Sequence, residues 1–181
     1  MTPRLEIPDS IASPGVISPT LRQMLIDMVV EIPKGSRNKY EMDHETGHIR
    51  LDRMLFTATR YPADYGFIPE THADDDDPLD ALALVTEPTF PGCRIAIKPI
   101  GLFVMEDQGK DDHKVLGVPV SDPVWREADD LDDVPAHMLS ELEHFFAIYK
   151  DLEDKKTAVK GWRDADEARA TIERSRKAYR G

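Results

Sequence analysis

Between Tyr61 and Phe90 the chain carries eight carboxylates and not one Lys or Arg. Five of the eight fall in Asp74-Asp-Asp-Asp-Pro-Leu-Asp80. A charge run is ordinarily a solvated loop. This one is bracketed by two apolar stretches, Tyr65-Gly-Phe-Ile-Pro69 and Ala81-Leu-Ala-Leu-Val85. Whatever fold the chain adopts must therefore hold several like charges against the edge of its core. Carboxylates two residues apart in an extended chain lie on one side, ~7 Å apart. Each such pair repels by roughly 0.6 kcal/mol in water and ~2.4 kcal/mol at an effective dielectric near 20. Several pairs together call for a cation.

The donors available narrow which cation. Cys93 is the single cysteine, which leaves no internal disulfide and no Cys-rich zinc or iron–sulfur site. Hard carboxylate oxygens suit Mg²⁺, Mn²⁺ or Ca²⁺. An EF-hand is excluded, because counting from Asp75 the sixth position is Asp80 where Gly is required and the twelfth is Thr86 where Glu is required. The expectation is an open metal site.

The 181 residues suit one domain. With 35 Asp and Glu against 23 Lys and Arg, the net charge of −12 repels nucleic acid and anionic membrane, so neither is expected as a partner. No apolar run approaches the ~18 residues of a membrane span. Four prolines and several charges stand near the N-terminus where a signal peptide would have its apolar stretch. The reading is a cytoplasmic protein with a Pro-rich N-terminal arm over residues 1–23 and a single domain over 24–181.

Short strands are expected at Leu25–Ile32, Asn38–Met42, Ile49–Leu55, Leu82–Thr86, Arg94–Met105 (broken near Pro99-Ile-Gly101) and Lys114–Val120. Asp43-His-Glu-Thr-Gly47 reads as a hairpin loop. Then the period changes. Met138, Leu142, Phe145, Phe146 and Tyr149 recur at helical spacing, which predicts a helix over 135–150. Asp164 with Glu167 forms a capping box opening a second helix, with Ala168, Ile172, Ser175 and Tyr179 on one stripe. Strands first and helices last predict an α+β fold, a small β-barrel with helices packed outside.

A second polar cluster, Asp107-Gln-Gly-Lys-Asp-Asp-His-Lys114, reads as strand–turn–strand with Asp112 and Lys114 on one face. Arg53 shares the period-2 face of Ile49, Leu51 and Leu55, an unusual place for a cation. Lys39 and Glu41 share a face, and Tyr149-Lys150 closes the first helix. Carboxylates for metals, with Lys, Arg and Tyr for anionic oxygens, define a site for a metal–phosphate complex. That also explains how an acidic protein could bind a polyanion. No P-loop motif is present. His44-Glu-Thr-Gly-His48 matches the H-E-x-x-H zinc pattern, but that pattern works only on a helix, and here it follows a strand and contains Gly. In an extended turn the two histidines do not converge, so the match is read as a coincidence.

At this point the residues resemble the soluble family I inorganic pyrophosphatases of bacterial type. Asp75-Asp-Asp-Pro-Leu-Asp80 is similar to the family signature D-x-D-P-x-D. Glu31-Ile-Pro-Lys-Gly35, Asn38-Lys-Tyr-Glu41, Asp52-Arg53, Tyr61-Pro62 with Tyr65-Gly66, Asp107 with Asp112 and Lys114, and His144-Phe-Phe146 with Tyr149-Lys-Asp-Leu-Glu153 follow in family order. The resemblance implies a five-stranded OB-like barrel with external helices, two of them in the C-terminal third. It implies hydrolysis of pyrophosphate to two phosphates with several Mg²⁺ ions, by direct attack of a metal-activated water, in a homo-oligomer that is typically a hexamer. It implies Asp75, Asp80 and Asp112 as ligands of the metals that bind the water. Asp107 with Asp112 would take a metal arriving with substrate, and Glu31 with Glu41 a further one. Lys39, Arg53, Lys114, Tyr149 and Lys150 would hold phosphate oxygens, and Tyr65 would hydrogen-bond near the nucleophile. Asp77 is the expected general base, with Asp112 its rival. Two other readings stand beside this one: another two-metal phosphohydrolase, and a non-enzymatic acidic Ca²⁺-binding or protein-interaction barrel.

Overall fold

The structure, a computed structural model, describes residues 25–180. The expected arm over 1–23 lies outside the described residues. Nine strands and two helices follow in chain order: β1 Ile26–Ile32, β2 Asn38–Asp43, β3 His48–Met54, β4 Asp64–Phe67, β5 Asp80–Ala83, β6 Arg94–Asp107, β7 Lys110–Asp111, β8 Lys114–Pro119, α1 Ala136–Ile148, β9 Thr157–Arg163 and α2 Ala165–Arg180. Strands β1, β4, β5, β8 and β6 pair in that order, and β6 pairs back to β1, so five strands close into a ring. All ring pairings are antiparallel except β5 with β8. The α+β fold, the five-strand closure and the two C-terminal helices agree with the sequence expectation.

Strands buried on both faces read as continuous apolar runs. Here one apolar layer joins Leu82, Phe103, Met105 and Leu116 to Leu142, Phe145, Phe146 and Tyr149 around α1. The alternate residues Ala81, Ala83, Leu102 and Val115 pack with Met28, Val30 and, from α2, Ala168 and Ile172. Helix α2 opens at the expected place, with Asp164 Oδ1 accepting from Glu167 N at 2.9 Å, the Asp164 half of the capping box. Tyr179 departs from its predicted stripe and is exposed. The cause is position: it sits in the last turn of α2, beyond Ser175, whose carbonyl already accepts from His72 N.

Three strands were absent from the sequence reading: the two-residue β7, and β4 and β9. Strand β4 carries Gly66 between Tyr65 and Phe67 and so lacks a strand-like pattern. That glycine is required, because a Cβ there would lie 1.8 Å from the Val29 carbonyl oxygen of β1. Strand β9 pairs with β6 around a bulge next to Gly161. The predicted break in β6 at Pro99-Ile-Gly101 is instead a bulge within one fourteen-residue strand.

Strands β2 and β3 pair only with each other. Their register skips Asp52, with Lys39 opposite Arg53 and Tyr40 opposite Leu51. An extra residue in one strand resets the alternation. Arg53 therefore does not share an inward face with Leu51, which is 59% exposed. Leu55, just beyond the strand, is fully buried and anchors the hairpin at its base.

Candidate active site

One end of the ring opens on a cleft of about 270 Å³. Strand β1 delivers Glu31, β4 delivers Tyr65, and β5 begins with Asp80. The parallel register sets Asp80 beside Lys114 at the head of β8. Eleven of the thirteen predicted site residues line the cleft: Glu31, Lys39, Glu41, Tyr65, Asp75, Asp77, Asp80, Asp107, Asp112, Tyr149 and Lys150. The other two stand just behind it. Lys114 lies under the floor, 1% exposed, and Arg53 sits on the hairpin wall.

The floor is a buried charge relay. Lys114 Nζ donates to Asp80 Oδ2 at 2.7 Å and to Asp112 Oδ1 at 2.6 Å, and Tyr65 OH donates to the same Asp80 oxygen. Burial pushes the Asp80 carboxyl up, and although the Lys114 ammonium works against this, its pKa stands at about 6. Burial also acts on Asp112, but there Lys114 wins and holds the carboxyl below its ordinary value. Lys114 is driven above its usual range, because the pull of Asp80 and Asp112 exceeds the cost of its own burial. Burial raises the Tyr65 and Tyr149 phenols well above their ordinary value, so both keep their protons.

The acidic run is not the extended segment expected from sequence. Asp76 adopts φ +76°, a left-handed conformation that Asp tolerates better than most residues, and the chain turns there. Asp77 N donates to Asp75 Oδ1 at 3.2 Å. The turn sends Asp75 and Asp77 into the cleft while Asp74 and Asp76 remain outside it. Burial raises the Asp75 carboxyl above its ordinary value. Glu31 is raised further, to about 7, by burial that its hydrogen bond from Met42 N only partly offsets.

Each remaining carboxylate leans on a cation. Lys150 Nζ donates to Asp107 Oδ2, and Lys39 Nζ donates to Glu41. Among the described residues no three acidic or histidine side chains converge as a ready-made metal cage. The donor set nevertheless fits a hard divalent cation. It is all oxygen, it is negative in excess, and among the described residues the buried Asp107 Oδ1 has no hydrogen-bond partner. His44 also lines the cleft, exposed at its rim and edge-on to Phe67 with ring centroids 5.0 Å apart. Its position follows from the hairpin loop folding toward the ring, which strand periodicity cannot register. His48 begins β3 and does not line the cleft, so the H-E-x-x-H match is a coincidence of spacing.

A family model described as inorganic pyrophosphatase matches residues 28–180. The chain belongs to the inorganic pyrophosphatase family. It is 53% identical over 159 residues to an inorganic pyrophosphatase of Streptomyces coelicolor, covering 87% of this chain and 97% of that one. It is 52% identical over 148 residues to one from Leifsonia xyli, covering 81% and 91%. Among solved structures, the inorganic pyrophosphatase of Thermus thermophilus superposes with a TM-score of 0.85 at 42% identity, covering 92% of this chain and 95% of that one. That of Helicobacter pylori also gives 0.85, at 39% identity, covering 87% and 94%. These likenesses agree with the OB-like ring and with bacterial-type membership.

Proposed function

We propose that this inorganic pyrophosphatase hydrolyses pyrophosphate to two phosphates by direct attack of water, dependent on Mg²⁺ or a similar divalent ion. The observation that carries the mechanism is the cleft itself, which six candidate metal-binding carboxylates line together with the phenols of Tyr65 and Tyr149 and the ammonium groups of Lys39 and Lys150. Asp75, Asp80 and Asp112 would hold the ions nearest the water, Asp107 with Asp112 one accompanying substrate, and Glu31 with Glu41 another. Bound there, divalent cations would acidify a water and neutralise charge on the leaving phosphate.

The chain's own groups do the rest. Lys39, Arg53, Lys114, Tyr149 and Lys150 are donors for phosphate oxygens. Tyr65, already a donor to Asp80, orients that carboxylate. Asp77 is the better base of the two candidates. Asp112 accepts from the Lys114 ammonium and is held ionised, which weakens it as a proton acceptor. Among the described residues no group donates to the Asp77 carboxylate, which lines the cleft. No covalent intermediate is required, and the nearest histidine, His44, packs against Phe67 and not against a Ser or Cys.

The same reading assigns residues 24–181 to one catalytic domain behind an N-terminal arm, working in the cytoplasm as a homo-oligomer, a hexamer by family resemblance. No helix among the described residues is long and apolar enough to cross a membrane. The deciding experiment is phosphate release from pyrophosphate in Mg²⁺ and then in EDTA, with ATP as a comparison substrate. Fast release from pyrophosphate that EDTA abolishes is the expected result. Equal turnover of ATP would favour a broader phosphohydrolase. Absence of release from folded protein would favour a binding module.

A further inference from the structure

We infer that Glu153 is a positioning residue for pyrophosphate binding: it holds Arg53, and with it the β2–β3 hairpin, against the end of α1. The hairpin has no strand ladder to the ring, yet it carries Lys39, Glu41 and Arg53. Something other than sheet hydrogen bonds must fix these groups over the cleft. Arg53 Nη2 donates to Glu153 Oε2 at 2.6 Å across a sequence separation of 100 residues. The Glu153 side chain is only 4% exposed, whereas that of Arg53 is 20% exposed. Asp52 also accepts from Arg53, but it belongs to the same hairpin and cannot dock it.

The chain path makes Glu153 a coupling point. It lies in the turn that leaves α1, and its own N–H donates to the Lys150 carbonyl at 2.8 Å. Arg53 is thereby tied to the turn that bears Lys150, and two donors assigned to phosphate move together. A guanidinium has five N–H donors, and the two carboxylate contacts leave others on its terminal nitrogens for an anion. Held this way before substrate arrives, Arg53 loses less side-chain freedom on binding than a free arginine would. Glu153 Oε1 and Arg53 Nε are both buried with no partner, so the pair leaves polar capacity unfilled. A contact serving only stability is expected to satisfy such atoms.

The inference rests on the pyrophosphate reading above. The test is steady-state hydrolysis in saturating Mg²⁺ by wild type, Glu153→Gln, Arg53→Ala and the double variant, with binding of methylenediphosphonate measured by calorimetry. Glu153→Gln keeps the shape and removes the charge. Its KM and its dissociation constant for the analogue should both rise about tenfold, the weight of one charge-assisted hydrogen bond. Its kcat should change far less. The double variant should be no worse than Arg53→Ala alone, and Glu153→Asp should recover part of the loss. An unchanged KM, additive losses in the double variant, or a fall in thermal stability without a change in KM each overturn the inference. Should Glu153→Gln fail to fold, Glu153→Asp decides, and a wild-type KM there overturns it. Wild type without turnover removes the functional reading itself, whereas active wild type with an unaffected Glu153→Gln removes only the role of Glu153.

Discussion

Lys114 and Lys39 both reach carboxylates around the same cleft, yet their settings are opposite. Lys114 is 1% exposed on a strand paired from both sides. Lys39 is 18% exposed on a hairpin that pairs only with itself. The ring's floor is therefore a fixed electrostatic pattern in low dielectric, where Asp80 and Asp112, joined to one ammonium, are pushed in opposite directions. The hairpin wall is partly solvated, and its Lys39–Glu41 pair, with Glu41 57% exposed, is individually weak. The floor can set proton affinities. The wall, outside its Arg53–Glu153 tie, leaves Lys39 and Glu41 free to adjust to what binds.

The largest effect should come from the floor side. Asp77→Asn should cut kcat by roughly 10²–10⁴-fold, with metal binding by calorimetry largely kept. A near-normal rate would move the base to Asp112. The contrast itself is tested by making one substitution in both places. In EDTA, Lys114→Met should lower unfolding stability by about 3–5 kcal/mol, because it strands two buried carboxylates. Lys39→Met should cost about 1 kcal/mol or less. Urea midpoints read both, and equal losses would dissolve the distinction between floor and wall.

Glu31 sharpens the comparison in pH. Its carboxyl is raised from 4.5 to about 7, so the folded form keeps a proton that the unfolded chain has released. Its stabilising contribution in EDTA is full below pH 4.5 and is lost as pH rises through about 7. The span is at most about 3 kcal/mol. Glu31→Gln should flatten that part of the stability–pH curve, and an unchanged slope would assign it to Asp80. The smallest effect belongs to the outer wall. His44→Ala with His48→Ala should leave kcat/KM within a few-fold of wild type, since surface changes are usually worth about 0.5 kcal/mol. A collapse in rate would give His44 a part in the reaction.

Local chemistry made much of this readable from sequence. The spacing of Leu142, Phe145, Phe146 and Tyr149 marks α1 because one face of a helix is buried. Asp75 through Asp80 marks the cleft because charge beside apolar residues is expensive unless used. The closing pairs of the ring are another matter. Strand β4 escapes notice because Gly66 answers to a backbone of another strand, a contact no local pattern carries. Arg53 was placed on the right strand with the wrong neighbours, because a bulge is invisible to a period-2 reading. Glu153 closes the Tyr149-Lys-Asp-Leu-Glu153 match, yet nothing in the sequence assigns it a role. Its partner lies 100 residues away, and only the fold brings the two together.

The parallel pairing of Asp80 with Lys114 has a consequence for the order of events in folding. Strands β5 and β8 cannot form a tight hairpin, and the chain between them contains the whole of β6. Closing such a long segment must precede the contacts that reward it. The relay of Asp80, Lys114 and Asp112 therefore comes into being late, when the ring is nearly shut. A half-folded chain has the acidic run but not its counterweight, and the ability to work arrives together with the completed architecture.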